Sequence, residues 1–430
     1  MAAIYATASN QVAALKELYD NPSDYMKDLV YKKNPLLAII PKNESPDGFA
    51  GKYIPVPLVY GTPQGRSHTF SSAQGNQTAP ALKSFFVYRV SDYQLVTITN
   101  ELLEATKGNA GAFVDEAKLN MDTGFRNISN NVAMQLFVPV TGERGQISAI
   151  STGVITLVSA ATVVNFEVGM SLVSYRVSGQ TPTIVSGGAI GYIIAVNRSA
   201  GTITVAATQG GAAATPTNWS TSDKYLAVEG DISFVSSGLA TAASLQITGL
   251  GGWIPSTAPT SGDSFWGVDR SADVTRLAGV RYDGSAQPIE EALVDAASLV
   301  AREGGQPDMC FMSFASYSAL EKSLGSKVQY VDVKHEEADI AFAGIRVHAP
   351  YGPISVIPDR SCPANTAYLL QMDTWKLRSL GKVPHILTYG LEGLDGLRVG
   401  SADALEIRIG YYGNLVCNAP GWNCVVSLSA

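Results

Sequence analysis

Residues 111–137 read Gly111-Ala112-Phe113-Val114-Asp115-Glu116-Ala117-Lys118-Leu119-Asn120-Met121-Asp122-Thr123-Gly124-Phe125-Arg126-Asn127-Ile128-Ser129-Asn130-Asn131-Val132-Ala133-Met134-Gln135-Leu136-Phe137. Phe113, Ala117, Met121, Phe125, Ile128, Val132 and Leu136 recur at spacings of three and four, one apolar stripe along a helix. Asp115, Glu116, Lys118, Asn120, Asp122 and Asn127 fill the other sides. At 1.5 Å per residue this helix is roughly 40 Å long, well above the average. Pro139 stops it.

Upstream, residues 51–99 have the pattern of a long two-stranded excursion. Tyr53, Pro55 and Pro57 precede a tip rich in Gly61, Gly65, Ser71, Ser72, Gly75 and Asn76. The return run is Phe85-Phe86-Val87-Tyr88-Arg89-Val90, continuing through Leu95-Val96-Thr97-Ile98. β-branched and aromatic stems around a polar tip signal a hairpin. An isolated ribbon of two strands is marginal in water. It therefore lies on a neighbouring surface or joins a larger sheet of its own domain. Residues 1–50 mix short helical stretches with Pro22, Pro35 and Pro41, which suits an arm packed on something else.

Downstream the composition changes. Only nine charged residues occur between positions 141 and 262. Short β-branched runs dominate, at 154–158, 171–175, 191–196 and 202–205, and Asn197-Arg198-Ser199-Ala200-Gly201 joins the last two as a hairpin. Short strands at regular spacing with no helix signal predict a small all-β barrel or sandwich. Helix-bearing sequence flanks it, which makes it an inserted domain, residues 147–250. Mixed patterning returns after about residue 284. Pro288, Glu290, Glu291, Arg302 and Gly304 bracket a helix with Ile289, Leu293, Ala297 and Val300 on its buried face. A second helix runs from 317 to 324, and strands follow at 354–357 and 368–370. Finally Leu405, Ile407, Ile409, Tyr411, Leu415 and Cys417 alternate with Glu406, Arg408, Gly410, Tyr412 and Asn414, a long strand with one buried face.

Composition bounds the function. The 430 residues suffice for two to four domains, and 46 % are apolar while only 16 % are charged. Disorder is excluded as the dominant state. A net charge of −7 gives no overall basic footprint for wrapping nucleic acid. No run approaches the ~18 apolar residues that span a bilayer. The N-terminus lacks the basic flank of a signal peptide, so the expectation is synthesis in a reducing cytoplasm. Cys310, Cys362, Cys417 and Cys424 form neither a disulfide frame nor a paired zinc knuckle.

Catalytic constellations are missing. Gly51-Lys52 and Gly381-Lys382 lack the upstream glycine of a phosphate loop, and there is no G-x-S-x-G elbow. Gly390, Gly393, Gly396 and Gly400 do not have dinucleotide spacing and suit turns instead. In His335-Glu336-Glu337-Ala338-Asp339 the second histidine of a zinc helix is replaced by Asp339, which favours a solvated acidic turn. His68 and His348 have no partner in sequence, and Cys310 in Cys310-Phe311-Met312 suits a buried strand thiol. Basic residues do not cluster with aromatics, so specific nucleic-acid reading is not expected. No catalytic, cofactor or metal residue is assigned.

The order of parts resembles a known family. An N-terminal arm, a long extended loop, a long helix, a mixed α/β domain and a final long strand occur in that order in the major capsid protein of tailed bacteriophages, the Hong-Kong-97-like fold. Three runs add to the likeness: Phe265-Trp266-Gly267-Val268-Asp269-Arg270-Ser271 continuing to Leu277-Ala278-Gly279-Val280-Arg281, then Pro353-Ile354-Ser355-Val356-Ile357-Pro358-Asp359-Arg360, and Tyr411-Tyr412-Gly413-Asn414-Leu415-Val416-Cys417.

The resemblance implies an α+β capsid fold divided as follows. Residues 1–50 are the arm and 51–99 the extended loop. Residues 100–146 hold the spine helix and first part of the peripheral domain, 147–250 the inserted β domain, and 251–300 more of the peripheral domain. Residues 301–384 form the axial domain and 385–430 the closing peripheral strands. It also implies hexamers and pentamers closing an icosahedral head around double-stranded DNA that is contacted non-specifically, with a portal protein as partner and separate scaffolding or decoration proteins as further candidates. The site of action is the virion, assembled in the host cytoplasm, with no membrane and no enzymatic activity. No scaffolding-length segment precedes the arm, so scaffolding is expected from a separate protein or not at all. In some relatives a loop lysine is joined covalently to a peripheral asparagine; here Lys52 or Lys83 with Asn414 are the candidates. An encapsulin-type compartment shares the fold, a β-rich tail or adhesin protein is suggested by residues 141–262 alone, and a β-rich lyase lacks an acid–base cluster.

Overall fold

The computed structural model describes residues 33–45, 51–99, 116–178, 181–183, 189–221, 224–233, 243–324, 330–335, 338–387, 397–398 and 403–429. Of the arm expected at residues 1–50, residues 1–32 and 46–50 lie outside them, as does the start expected for the long helix. From Lys33 the chain is part of the body: Pro35–Ile39 forms a helix opened by proline, and Leu36, Leu37, Ile39 and Ile40 are buried.

The long helix, Glu116–Gln135, lies across a six-stranded sheet and buries Ile128 and Val132. A Cβ on Gly124 would stand 2.7 Å from Val96 Cγ2 and 3.3 Å from Ile409 Cδ1. Backbone therefore rests directly on the sheet, which explains a glycine in a helix interior. The hub of that sheet is the strand Ala404–Cys417. Val90–Thr99 pairs antiparallel with it from Gly413 to Ala404, and Trp375–Ser379 pairs with its C-terminal end. Lys42–Asn43 adds in parallel to Trp375–Ser379. Ile407, Ile409 and Tyr411 are buried as the alternation predicts, but Leu405 is only half-buried, Gly410 is buried as well, and from Gly413 to Cys417 every residue is buried because chain covers both faces.

A second core lies under a seven-stranded sheet ordered Val280–Gly284, Cys424–Leu428, Thr366–Leu370, Met309–Met312, Gly352–Pro358, Ala338–Ala349, Tyr330–His335. The helix Ile289–Arg302 carries Glu290 and Glu291 in its first turn and Arg302 in its last, and Gly304 follows at φ +92°, the left-handed conformation that ends helices. Phe314–Leu324 forms the second helix.

Pairing corrects three boundaries read from the sequence. Val90–Thr99 leaves the ribbon for the six-stranded sheet. Val280–Gly284 and Cys424–Leu428 pair in parallel within the seven-stranded sheet, and the helix Ile289–Arg302 packs there too, so neither 251–300 nor 385–430 is confined to one sheet. Trp375–Ser379 conversely belongs with the long strand rather than with residues 301–370. Each crossing joins segments far apart in sequence, a pairing that local periodicity does not encode.

Between these bodies the chain from Gly145 to Val228 forms a closed ring of six strands. Gly145–Ser151 pairs with Val154–Leu157, then Thr202–Ala206, Gly191–Asn197, Ser171–Ser178 and Tyr225–Val228, which returns to Gly145–Ser151. Ile155, Phe166, Leu172, Ile193, Ile203, Val205 and Leu226 fill its own core. The expected β unit is a barrel, a form in which no ring strand keeps a free edge.

Candidate assembly surface

The ribbon pairs Tyr53–Gly61 with Ala81–Tyr88 as a two-stranded sheet of its own. Period two splits it. Ile54, Val56, Phe85 and Val87 turn inward and are buried. Tyr53, Pro55, Pro57 and Val59 lie opposite Tyr88, Phe86, Ser84 and Leu82 on the other face. On it Val59 is 62 % exposed and Leu82 59 %, and the Tyr53 ring meets Phe86 edge-on at 4.9 Å. An exposed apolar face this long marks a partner surface. Pro55 has no N–H to offer on one edge of the ribbon, and on the other edge Phe86 N–H donates to Trp266 O at 3.0 Å. Prolines 55 and 57 thus weaken the ribbon's free edge as a template for further strands.

One of the runs behind the family likeness is the joint that holds this ribbon. Ser264–Phe265 and Val268–Asp269 form a hairpin whose turn residues Trp266 and Gly267 both have positive φ, +48° and +82°, as a type I′ turn requires. Phe265 packs edge-on against Phe85 at 6.0 Å and Trp253 at 5.1 Å, and Trp266 lies 5.8 Å from Tyr88. Arg270 is fully buried beneath it. Its Nε donates to Asp263 Oδ2 at 2.9 Å, its Nη1 to Gly252 O at 2.7 Å, and its guanidinium sits 4.0 Å above the Phe265 ring. Arg276 Nη1 donates to Tyr60 O at 2.7 Å, fastening the ribbon to the body at the end that leads into its tip.

Beyond Gly61 the chain turns through the tip, where Phe70–Gly75 is a short helix and Phe70 is 83 % exposed. Charge separates the ribbon from the rest of the protein. Lys52, Arg66, Lys83 and Arg89 are its cations, and no carboxylate occurs from Gly51 to Ser91, in a chain whose net charge is −7. This signal was present in the sequence and was hidden by the overall balance.

Where the barrel joins the body, polar side chains are buried together. Asp92 Oδ2 accepts from Asn131 Nδ2 at 2.7 Å and Gln135 Nε2 at 3.3 Å. Arg144 donates to Asn131 and to Asn165 O, and stands 3.8 Å from Asp231. Gln246 Nε2 bridges Asp231 Oδ2 at 2.9 Å and Gly142 O at 3.1 Å, while Tyr411 donates to Gln135 Oε1 at 2.7 Å. Burial pushes the Asp231 carboxyl up to about 6 against the pull of Arg144, and raises Asp92 and Glu143 as well.

The residues singled out from sequence are not brought together. Lys52 and Lys83 are exposed on the ribbon, whereas Asn414 is fully buried. Its Oδ1 accepts from Thr248 and Leu415 N–H and its Nδ2 donates to Tyr88 O at 2.8 Å. A side chain so committed is not open to a lysine of another subunit, which removes the Asn414 cross-link. His335 and Asp339 fall on two paired strands rather than on a helix, with His335 opposite Ala338 and residues 336–337 outside the described ones. His68 and His348 are exposed, and burial pushes the Cys310 thiol up. Among the described residues no group of three or more His, Cys, Asp or Glu could hold a metal ion, and no helix is long and apolar enough to cross a membrane.

Residues 202–395 match the family model described as SU10 major capsid protein. No curated protein matches the chain. Among solved structures, the capsid asymmetric unit of cyanophage A-1(L) is similar with a TM-score of 0.54 at 12 % identity, covering 97 % of this chain and 98 % of that one. The holo-SrpI encapsulin complex from Synechococcus elongatus has a TM-score of 0.44 at 8 % identity, with 97 % and 94 % covered. The capsid of Myoviridae phage XM1 has 0.43 at 7 %, with 94 % and 95 % covered. The likeness to the cyanophage chain shows the fold: an α+β capsid fold, as the order of parts had suggested.

Proposed function

We infer that this chain, with a capsid fold and a major-capsid-protein match over residues 202–395, is a major capsid protein that self-assembles into a shell, as tailed-phage subunits do. The observation that carries the assembly mechanism is the ribbon. Its inner face is anchored by Phe85 and Val87, its outer face is an exposed row of Tyr53, Val59, Leu82, Phe86 and Tyr88, and its charge is opposite to that of the whole chain. Such an element completes its burial on a neighbour.

In the finer reading, hexamers and pentamers close an icosahedral head around double-stranded DNA, with the barrel on the outer surface and a portal protein at one vertex. Scaffolding and decoration proteins are candidate partners, and assembly takes place in the host cytoplasm. An acidic subunit suits a container that must release its genome, since dense phosphate contacts would hold it back. The role is structural rather than enzymatic. The encapsulin-type alternative would enclose protein cargo instead.

Replacing residues 61–79 by a short Gly-Ser turn tests the ribbon's role. The expected product is a folded, soluble subunit with a melting temperature near that of the parent and no shells. Normal shells from this variant would make the ribbon an intradomain hairpin.

A further inference from the structure

Two cavities open where the barrel meets the body, of about 740 Å³ and about 500 Å³. Met134, Arg144, Val164, Asn165, Arg360 and Ser361 wall both, so they are two compartments of one cleft. Arg360 donates to Val164 O and Arg144 Nη1 to Asn165 O at 3.0 Å. The smaller compartment adds Phe137, Val138, Pro139 and Val158, an apolar wall, together with Glu143, whose carboxyl burial raises. The larger one has a different chemistry.

The helix Glu116–Gln135 presents a second stripe to it. Thr123, Arg126, Asn127, Asn130, Asn131 and Met134 all wall the larger compartment, and their spacing is that of one helix face. Amides stand there in place of the mixed carboxylates and lysines of a solvated face. They are held in fixed orientations: Asn34 Nδ2 donates to Asn130 Oδ1 at 2.9 Å, and Asn127 Nδ2 to Gln94 Oε1 at 2.8 Å. Polar groups preorganised in this way suit a ligand that hydrogen-bonds.

Charge gives the sign of that ligand. Arg126 comes from the long helix, Arg144 from the start of the barrel and Arg360 from the segment after Gly352–Pro358. Among the described residues Glu167 is the one carboxylate of the wall, and it is engaged by Arg198, which stands outside the wall, at 2.7 Å. Arg144 is only 6 % exposed, yet its contact with Asp231 is long, 3.8 Å, and its Nε has no hydrogen-bond partner among the described residues. Asp92 and Asp231 also act on it, but burial raises both carboxyls and favours their neutral forms. A buried guanidinium short of acceptors is costly, and an anion in the cavity completes its pairing.

We propose that the larger compartment binds a phosphate chain, inorganic or carried by a nucleotide, held by Arg126, Arg144 and Arg360 beside the amides of Asn127 and Asn130. Guanidinium forks match phosphate oxygens two at a time. A cavity of about 740 Å³ has the size of a small-molecule site and exceeds a single phosphate group. Because the three arginines reach it from barrel and body, the bound anion staples one to the other. The site stands independently of the shell reading.

Calorimetric titration of the purified full-length protein with sodium triphosphate, and separately with ATP, tests it in metal-free buffer at matched ionic strength. Triphosphate should bind with a dissociation constant of about 1 mM or tighter and raise the melting temperature, where sodium chloride does not. ATP binding about tenfold tighter than triphosphate assigns the site to a nucleotide, and equal or weaker binding assigns it to the inorganic chain. Arg360→Gln should weaken binding about tenfold or more, while Arg302→Gln, an exposed cation outside the cleft, leaves it within about twofold. Where Arg360→Gln does not fold, Glu167→Gln decides. It removes a half-exposed carboxylate from the wall and should tighten binding by about threefold. No heat and no melting shift at about 10 mM of either ligand overturns the proposal. So does binding that the Arg360 and Glu167 substitutions leave unchanged.

Discussion

Leu250 donates its backbone N–H to the carbonyl of Leu136 across 2.7 Å, although the whole barrel lies between them in sequence. Gly249 N–H donates to Val138 O at 3.1 Å beside it. The chain thus leaves the body and re-enters it at one point, and the barrel hangs from a closed two-segment stalk. Body folding does not have to wait for the barrel's long loop once this stalk is formed.

The stalk demands glycine. A Cβ on Gly249 would lie 2.4 Å from Gln135 O and 2.5 Å from Leu136 C, both backbone atoms that cannot yield cheaply. Gly249→Ala should lower unfolding free energy by ~1–3 kcal/mol through overpacking, read from urea melts. An unchanged midpoint and slope would contradict the close approach.

Because the ring of strands is closed and has its own core, the barrel should fold alone. A fragment of residues 143–231 is expected to give a strand-type circular dichroism spectrum and one cooperative melt. A disordered spectrum would mean that the barrel depends on the body through Arg144 and Asp231.

Asp231 sets a pH dependence with an unusual sign. Its carboxyl is raised to about 6, chiefly by burial. Its protonated form is the one the fold favours, so its contribution is full below about pH 4 and is lost as pH rises through about 6. Asp231→Asn mimics the protonated state and can still accept from Gln246. The variant's stability advantage over the parent should be small at pH 4 and grow to roughly 2–3 kcal/mol by pH 7. Asp92 and Glu143 titrate in both proteins and largely cancel in the difference. A pH-independent gap would show that Asp231 is not the titrating group.

The sequence was most informative where a local period decides the outcome. The stripe from Met121 to Leu136, the capped helix Ile289–Arg302 and the buried Ile407, Ile409 and Tyr411 of the long strand appear as expected. Sheet membership was not legible, because Val280–Gly284 pairs with Cys424–Leu428 across most of the second half of the chain. Asn414 looked exposed by alternation and is buried, since Thr248 and Tyr88 arrive from distant segments to take its amide. Arg270 and Asp263 form a buried ion pair at 2.9 Å; the sequence around Arg270 carries no sign of this, because pairing and burial depend on the tertiary packing around it. The ribbon's cationic, carboxylate-free stretch from Gly51 to Ser91 was readable all along, but net charge averages such segments away.

The central claim is that this chain closes into a shell through surfaces it cannot cover alone. Negative-stain electron microscopy of the purified full-length protein, at physiological salt and rising concentration, tests it most directly. Closed particles of uniform diameter, built of rings of subunits, are the result this account predicts. A monodisperse monomer that persists at high concentration, or open rods, would contradict it.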